Sequence, residues 1–311
     1  MTAPSLRATA NPINERTLPL MLLLFVGSGC AALIYEVVWF QLLSLIVGSS
    51  AISMGIILGT FMGGMCLGSL YLPRWFSARE HPLRVYAKLE LGIGIAGVLI
   101  LFGLPLLGKL YVVISGPGLS GMLLAGVLCA VCLLPPTLMM GATLPAIARW
   151  VQTTPSGISW LGFFYGGNIA GAVAGSLLAG FYLLRVYDNT YATFAAVALN
   201  LLVALLAFAI ASRTAYAADE TTASAKKAPL FEMPPGTGPV YLTIALSGMT
   251  ALGAEVIWTR LLSLTLGATV YTFSLILAAF LSGLGIGSSV GSMIARLTTN
   301  ARVALGWCQA L

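Results

Sequence analysis

Charged residues are scarce in this 311-residue chain, at 8% of the total against 59% hydrophobic residues. A soluble domain is about 45–50% apolar and about 25% charged, so the composition excludes an ordinary soluble enzyme and a disordered chain. Repeated apolar runs of about 20 residues are each long enough to cross a bilayer as a helix. A transmembrane barrel would show short alternating segments instead. The sequence therefore predicts an all-α, polytopic membrane protein.

Residues that build common catalytic and metal sites are also few. The single histidine, His81, lies in a basic loop without partner residues, and we expect it to be solvated. Cys129 and Cys132 have the C-x-x-C spacing of a metal or redox pair, but no second pair accompanies them, so buried inert cysteines are favoured. No dinucleotide, P-loop, nucleophile-elbow or zinc signature occurs in the context that it requires. We expect no catalytic residue, no metal site and no cofactor in this chain.

The basic residues that are present lie mainly in alternate loops. They precede the first span and follow the second, fourth, sixth and eighth: Arg7, Arg16, Arg74, Arg79, Arg84, Lys88, Arg149, Arg213, Lys226, Lys227, Arg296 and Arg302. The other loops hold only Lys109 and Arg185. Basic residues in short loops stay in the cytoplasm, so we predict a cytoplasmic N-terminus in a bacterial inner membrane. The net charge of +6 is thus a topology signal, and we expect no nucleic-acid partner.

The apolar runs divide the chain into two groups. Spans are predicted near 18–46, 51–72, 86–114, 120–150, 158–184, 190–212, 239–265 and 268–293. A ninth begins at about Arg302 and is shorter than the about 20 residues that a crossing needs. The expected units are a cytoplasmic tail at 1–17, a six-helix bundle at 18–212, a polar cytoplasmic linker at 213–238 and the truncated start of a second bundle at 239–311. The first run is too long for a cleaved signal sequence and is read as a retained helix.

One stretch of the chain occurs twice. Residues 28–69 align without gaps on 247–288 at a constant offset of 219, and 18 of the 42 pairs are identical. The matches include Glu36 with Glu255, which general apolarity would not place in register. Because the second copy begins after six spans, an even number, both copies have the same orientation across the membrane. Parallel six-helix repeats are typical of the major facilitator superfamily, and this chain would supply eight complete spans and part of a ninth.

The two matched acids, Glu36 and Glu255, are the strongest candidates for a functional site. An ionisable side chain at the bilayer centre costs about 2.5–3.5 kcal/mol, so it usually faces a cavity or a partner. At about 1.5 Å per residue, both acids lie about 24–27 Å from the starts of their spans, towards the outer side of the membrane. One interpretation is that they line an outward cavity and bind a cation or carry a proton. The other is that each makes a structural hydrogen bond to a neighbouring helix.

Small residues recur at four-residue spacing in three of the predicted spans. They are Gly64 and Gly68 in the second span, Gly167, Gly171 and Gly175 in the fifth, and Gly283 and Gly287 in the eighth. Small residues on one face let helices approach closely in lipid, where close packing replaces the hydrophobic driving force. We predict helix packing at these positions, with a substrate path along the same faces as the alternative.

Three residues near the expected outer membrane surface fit an anchoring role. Trp39 and Trp258 suit the aromatic belt of a bilayer interface. Arg260 lies further along its helix than Trp258, where a long basic side chain can extend to the outer headgroups. Its counterpart in the first copy is Gln41, so an ion-pairing role would not be repeated. An interface anchor is therefore the favoured interpretation of Arg260.

Four stretches resemble the membrane part of one known family. They are residues 28–39, their second copy at 254–262, and the stretches 140–145 and 167–176. Together they look like the membrane domain of fused major-facilitator/spermidine-synthase proteins, over nearly all of 20–300. In that family a helical membrane domain precedes a soluble aminopropyltransferase-like domain of Rossmann type. The glycine-rich acidic motif and catalytic Asp of such a domain have no counterpart in this chain.

The resemblance implies an N-terminal membrane domain of a spermidine-synthase-like protein. It would anchor an aminopropyltransferase-like domain that this chain lacks, and it would handle a polyamine or a related cation. One alternative is a stand-alone secondary transporter of a small cation with a major-facilitator-like fold, and another is a purely structural scaffold. In each case the lipid bilayer is the expected partner, and any enzymatic activity would belong to a domain outside this chain.

Overall fold

A computed structural model describes residues 17–77, 79–116, 118–151, 155–214, 216, 237–297 and 301–310. Of these described residues, 92% are helical and none lies in a strand. Eight of the described helices are long and apolar enough to cross a membrane. The predicted all-α class is therefore confirmed, and the length and composition of the helices support a bilayer environment.

The helices follow the predicted apolar runs closely. In chain order they are α1 (Thr17–Val47), α2 (Ala51–Trp75), α3 (Pro82–Ile114), α4 (Leu119–Val151), α5 (Pro155–Leu178), α6 (Leu184–Val186), α7 (Asn189–Arg213), α8 (Gly238–Leu266), α9 (Val270–Leu297) and α10 (Ala301–Ala310). A π-helical turn, Ala179–Leu183, joins α5 to α6. The largest differences are four residues each. α9 ends at Leu297 instead of 293, and α3 begins at Pro82 instead of 86 because Pro82 is a favourable first helical residue after the N-cap His81. Most of the predicted tail and linker lies outside the described residues.

α1 is the central helix of the first six spans. It packs along α5 and α7, while α2 packs along α4, and α3 packs along both α4 and α7. In the second group, α9 contacts α5 and α8 contacts α2. Tyr35 and Trp39 of α1 are fully buried, and their rings stack at a centroid distance of 4.8 Å. α1 is therefore surrounded by protein, whereas α8 and α9 lie along the side of the six-helix group.

The contact between α1 and α5 depends on glycine. A Cβ atom at Gly171 would overlap the backbone oxygen of Val26, and one at Gly175 would overlap that of Cys30. Gly167, one turn earlier, faces a leucine side chain of the same helix α1. The three glycines thus lie on one face of α5, where the absence of side chains lets the two helix backbones touch.

α2 and α4 meet in the same way, but the second copy of the repeat does not reproduce the contact. Gly64 lies against Thr137 of α4, and Gly68 lies against the α4 backbone. At Gly283 and Gly287, the counterparts in α9, no other part of the described chain lies within 4 Å of a Cβ position. The predicted packing role therefore has a visible partner helix in the first copy, and these two glycines of α9 face open space.

The turn that joins the two helices is the same in both copies of the repeat. The chain leaves α1 at Gly48 and α8 at Gly267, with φ angles of 88° and 94°. These positive angles are readily adopted only by glycine, because a Cβ atom would collide with the neighbouring backbone. Positions 48 and 267 are related by the offset of 219 that relates the two copies in the sequence.

The caps that start the second helix of each copy also match. In the first copy, the Ser53 backbone N–H donates to Ser50 Oγ at 3.1 Å, and the two hydroxyl oxygens lie 3.0 Å apart. In the second copy, the Thr272 backbone N–H donates to Thr269 Oγ1 at 3.3 Å, and the hydroxyls lie 3.1 Å apart. Each hydroxyl satisfies an N–H group that would otherwise lack a partner at the helix start. The likeness of the two copies thus extends from sequence to local geometry.

Candidate functional site

A cavity of about 460 Å³ lies where the six-helix group meets α8 and α9. Matched positions of the two copies of the repeat form much of its wall. The pairs are Ala32 and Ala251, Leu33 and Leu252, Phe61 and Phe280, Met62 and Leu281, and Met65 and Leu284. In every pair the two numbers differ by 219. Both copies therefore contribute equivalent residues to the wall of this cavity, which has the size and mostly apolar wall of a small-molecule site.

The polar groups in the wall are few, and two of them are acids. The polar and acidic lining residues are Ser28, Glu36, Glu90, Thr143, Tyr165, Asn168 and Asn200. Among the described residues that line the cavity, none is Lys or Arg. In a low-dielectric cavity, acidic groups without basic ones favour the binding of cations over anions.

Glu36 is one of the two acids in the cavity wall. On α1, Tyr35 packs against Gly97 of α3, and Trp39 packs against Phe61 of α2. Glu36 lies on another side of the helix, where it lines the cavity together with residues of α8 and α9. The side chain is 3% exposed, and its Oε1 has no hydrogen-bond partner in the described part of the chain. It lies four residues past the middle of α1, or about 6 Å, so it is well inside the helix rather than at its end.

Glu255, the second predicted acid, is buried beside the cavity rather than in its wall. Both of its carboxylate oxygens lack a hydrogen-bond partner among the described residues. The structural alternative, a hydrogen bond to a neighbouring helix, is therefore not seen for this side chain. Glu255 is close enough to Glu36 for the two carboxylates to interact electrostatically. The structure thus brings the two predicted acids together, but only Glu36 lines the cavity.

A second cleft, with polar and apolar lining residues, lies near the α1–α2 turn. Its volume is about 330 Å³, and its polar lining residues are Gln41, Ser44, Ser49, Thr259, Ser263 and Thr269. Thr259 and Ser263 follow Glu255 at four-residue intervals, and these three are the buried residues of α8. Gln41 Oε1 and Ser44 Oγ lack hydrogen-bond partners in the described chain. The buried side of α8 is therefore polar, which is unusual for an otherwise apolar helix.

Glu90 is a third buried acid, and the sequence analysis missed it. The side chain is 1% exposed in α3, and Ser28 Oγ donates a hydrogen bond to its Oε1 at 2.5 Å. Its other oxygen, Oε2, has no partner among the described residues. The predicted span began at 86, which placed Glu90 beside the basic loop. Since α3 begins at Pro82, Glu90 lies about two turns inside the helix. An acid eight residues into an apolar helix is the sequence feature that could have identified it as a buried polar residue.

The expected anchors differ in their surroundings. Trp39 is 1% exposed and packs in the core, so the prediction of an aromatic-belt position does not describe it. The physical reason is that α1 is surrounded by other helices, which leaves no lipid-facing side at this turn. Trp258 is 54% exposed on the outer face of α8, as a lipid-facing residue would be. Arg260 Nη1 donates to the backbone oxygen of Ser49 at 3.0 Å, which ties α8 to the α1–α2 turn.

His81 is half-buried and bonded, in contrast to the expected solvated residue. Its Nδ1 accepts a hydrogen bond from the Leu83 backbone N–H at 3.2 Å and so caps α3. Its Nε2 lies 3.1 Å from Thr214 Oγ1 at the end of α7. Burial lowers the pKa of the His81 imidazole, because the charged form loses hydration. The histidine is therefore a neutral link between two helix ends.

The remaining sequence candidates and the comparisons with known proteins add no further chemistry. Cys129 and Cys132 are buried in α4 as free thiols. In the described part of the chain, no group of three His, Cys, Asp or Glu side chains could hold a metal ion. No protein-family model matches the chain, and no curated protein and no solved structure is significantly similar to it. The acidic cavity is thus the feature from which function is inferred.

Proposed function

We propose that the protein is a membrane transporter that binds a small cation in the cavity between the two copies of the repeat. The observation that carries the proposal is the carboxylate of Glu36, which is buried, lacks a partner at Oε1 and lies in the cavity wall. A charged group inside a membrane is costly unless a counter-charge or a proton neutralises it. A bound cation supplies that counter-charge, and Glu255 nearby adds to the negative potential that attracts it.

Alternating access between two membrane halves is the mechanism that we propose for the movement of this cation. Transporters with parallel six-helix halves rock one half against the other around a fixed central site. Matched residues of both copies line the cavity, as such a site requires. The major-facilitator-like plan predicted from the sequence supports this interpretation. Arg74, Arg79, Arg84, Arg149 and Arg213 cluster where α2, α4 and α7 end and α3 begins, which favours a cytoplasmic location for that end.

The experiment measures the uptake of cations into liposomes that contain the purified chain. Uptake of radiolabelled putrescine and spermidine, and of a small monovalent organic cation, is compared between wild type and Glu36→Gln. We expect Glu36→Gln to reduce the flux about tenfold or more, since the cation loses its counter-charge in a low-dielectric site. Glu80→Gln is the control, because Glu80 is an acid of the α2–α3 loop that pairs with Lys88 outside the cavity. Equal flux in wild type and Glu36→Gln would refute the proposal.

A second candidate function is the anchoring of an aminopropyltransferase-like domain at the cytoplasmic face. Its support is that stretches resembling the fused family meet at one place, since Met140, Thr143 and Asn168 line the cavity together with Glu36. On this view the bound cation is a polyamine. We predict that residues 1–311 alone catalyse no aminopropyl transfer from decarboxylated S-adenosylmethionine to putrescine. Turnover by this chain would contradict the assignment of that activity to a separate domain.

A further inference from the structure

We propose that Glu90, Ser28 and Asn200 form a sodium-ion site in the wall of the cavity, separate from Glu36. The proposal deepens the proposed function, because it names the ion that such a transporter would bind alongside its substrate. It rests on a different set of residues and is tested with sodium alone.

The three residues come from three helices, and both Ser28 and Asn200 are hydrogen-bonded to Glu90. Ser28 of α1 donates to Glu90 Oε1 at 2.5 Å. Asn200 of α7 donates from Nδ2 to the Glu90 backbone oxygen at 3.3 Å. All three residues line the same cavity. The site is therefore formed by α1, α3 and α7 of the six-helix group and does not need α8 or α9.

Ser28 and the buried Tyr86 hydroxyl lie beside the Glu90 carboxyl group, but two oxygen atoms of the site still lack hydrogen-bond partners among the described residues. Glu90 Oε2 and Asn200 Oδ1 are both buried without a hydrogen-bond partner in the described part of the chain, and each residue is 1% exposed. The amide orientation of Asn200 follows from its Nδ2 bond, which leaves the carbonyl oxygen free. Two buried acceptors with no donor would each be costly, since buried polar groups are normally paired. A cation bound between the two side chains would satisfy both acceptors, which a further acceptor residue could not do.

The ligand chemistry selects a hard monovalent ion. The available ligands are carboxylate, amide and hydroxyl oxygens, which suit hard cations rather than metals that prefer sulfur or imidazole. Glu90 is the one carboxylate among the three residues, so it balances one positive charge. A divalent ion would leave an uncompensated charge in a low-dielectric site. Sodium, a hard ion with a single charge, fits these ligands.

The sodium site and the Glu36 site are spatially distinct. Ser28 and Glu36 are eight residues apart on α1, which corresponds to about 12 Å along the helix. Both nevertheless open into one cavity, so an ion at Glu90 and a cation at Glu36 can be present together. This arrangement allows sodium to change the affinity of the cavity for its substrate by a coupling free energy between two sites.

The test is binding of radioactive ²²Na⁺ to the purified chain in lipid nanodiscs, with choline used to keep the ionic strength constant. We expect saturable binding by wild type and a dissociation constant raised about tenfold or more in Glu90→Gln. Glu80→Gln, which lies outside the cavity, is the control and should bind sodium within about twofold of wild type. Unchanged binding in Glu90→Gln, or no saturable binding by wild type, would overturn the proposal.

A second variant separates loss of the site from loss of the fold. Asn200→Asp adds a second carboxylate, so Ca²⁺ should displace ²²Na⁺ from this variant about tenfold more effectively than from wild type. A misfolded protein would not gain this more effective displacement by Ca²⁺. If folded Asn200→Asp does not show it, the result counts against the site. If wild type binds sodium through Glu90 but transports no organic cation, the proposed function fails and the sodium site stands. If Glu36-dependent flux occurs without any sodium binding, the sodium site fails alone.

Discussion

The first copy of the repeat, 28–69, runs through the centre of the six-helix group, whereas the second copy, 247–288, lies along its side. In the most apolar 18-residue stretch of α1, 56% of the residues are buried inside the protein. In the corresponding stretch of α8, 6% are buried. Yet the glycine turn and the hydroxyl cap that follow are the same in both copies. Glu36 and Glu255 are also both buried, although few other residues of α8 are.

This contrast separates what the local sequence determines from what the neighbouring helices determine. A glycine with a positive φ angle and an N-cap each depend on residues within a few positions in the sequence. Similar local sequences therefore give the same turn in both copies. The burial of α1 comes from its packing along α5 and α7, and α8 has no counterparts of these two helices in the described part of the chain. Matched substitutions in the two copies therefore measure the two contributions separately. Their expected effects are given from the largest to the smallest.

The tryptophan pair should show the largest difference. Trp39→Ala removes a buried indole that stacks on Tyr35, and we expect it to lower the free energy of unfolding by about 3–5 kcal/mol. Trp258→Ala removes an exposed side chain, and we expect a loss of less than about 1 kcal/mol. The measurement is unfolding by SDS titration, followed by circular dichroism. Equal losses in the two variants would show that α8 is packed as tightly as α1.

The glycine pair tests helix contact directly. Gly68→Val would force a side chain into the α4 backbone, so we expect a loss of about 1–3 kcal/mol in the free energy of unfolding. At Gly287 the same valine meets open space, and the change should stay within about 0.5 kcal/mol. The same SDS titration measures both variants. A large loss in Gly287→Val would reveal a contact partner for α9 and would contradict the difference described between the copies.

The turn glycines should behave alike, in contrast to the two pairs above. Gly48→Ala and Gly267→Ala each place a Cβ atom at a positive φ angle, which costs about 1–2 kcal/mol. We expect thermal unfolding in detergent to show similar decreases in Tm for both variants. A decrease in only one variant would mean that the turns are held by their surroundings and not by local sequence.

The helix caps should give the smallest effect. Ser50→Ala and Thr269→Ala each remove a hydroxyl that accepts a backbone N–H, at an expected cost of about 0.5–1 kcal/mol. The conservative exchanges Ser50→Thr and Thr269→Ser keep the hydroxyl and serve as controls. Thermal unfolding would contradict the account if a control exchange destabilised the protein as much as its alanine variant.

The sequence predicted the helices and the acid pair but not how each helix packs. Glu36 and Glu255 were found because two glutamates in register are improbable in apolar segments. Glu90 was missed because the predicted start of its span placed it near the basic loop. Trp39 was assigned to the membrane surface because an apolar helix such as α1 does not indicate which side faces lipid and which faces protein. Only the arrangement of the neighbouring helices supplies that information.

The most direct test of the central claim fills the cavity from the side of the second copy. Ala251→Leu places a larger side chain in the part of the cavity wall that α8 forms. Thr250→Leu, at the neighbouring exposed position, serves as the control. Flux of the transported cation through liposomes is measured for both variants and for wild type. The account predicts that Ala251→Leu reduces the flux about tenfold or more while Thr250→Leu retains it. Wild-type flux in Ala251→Leu would contradict a cation site between the two copies of the repeat.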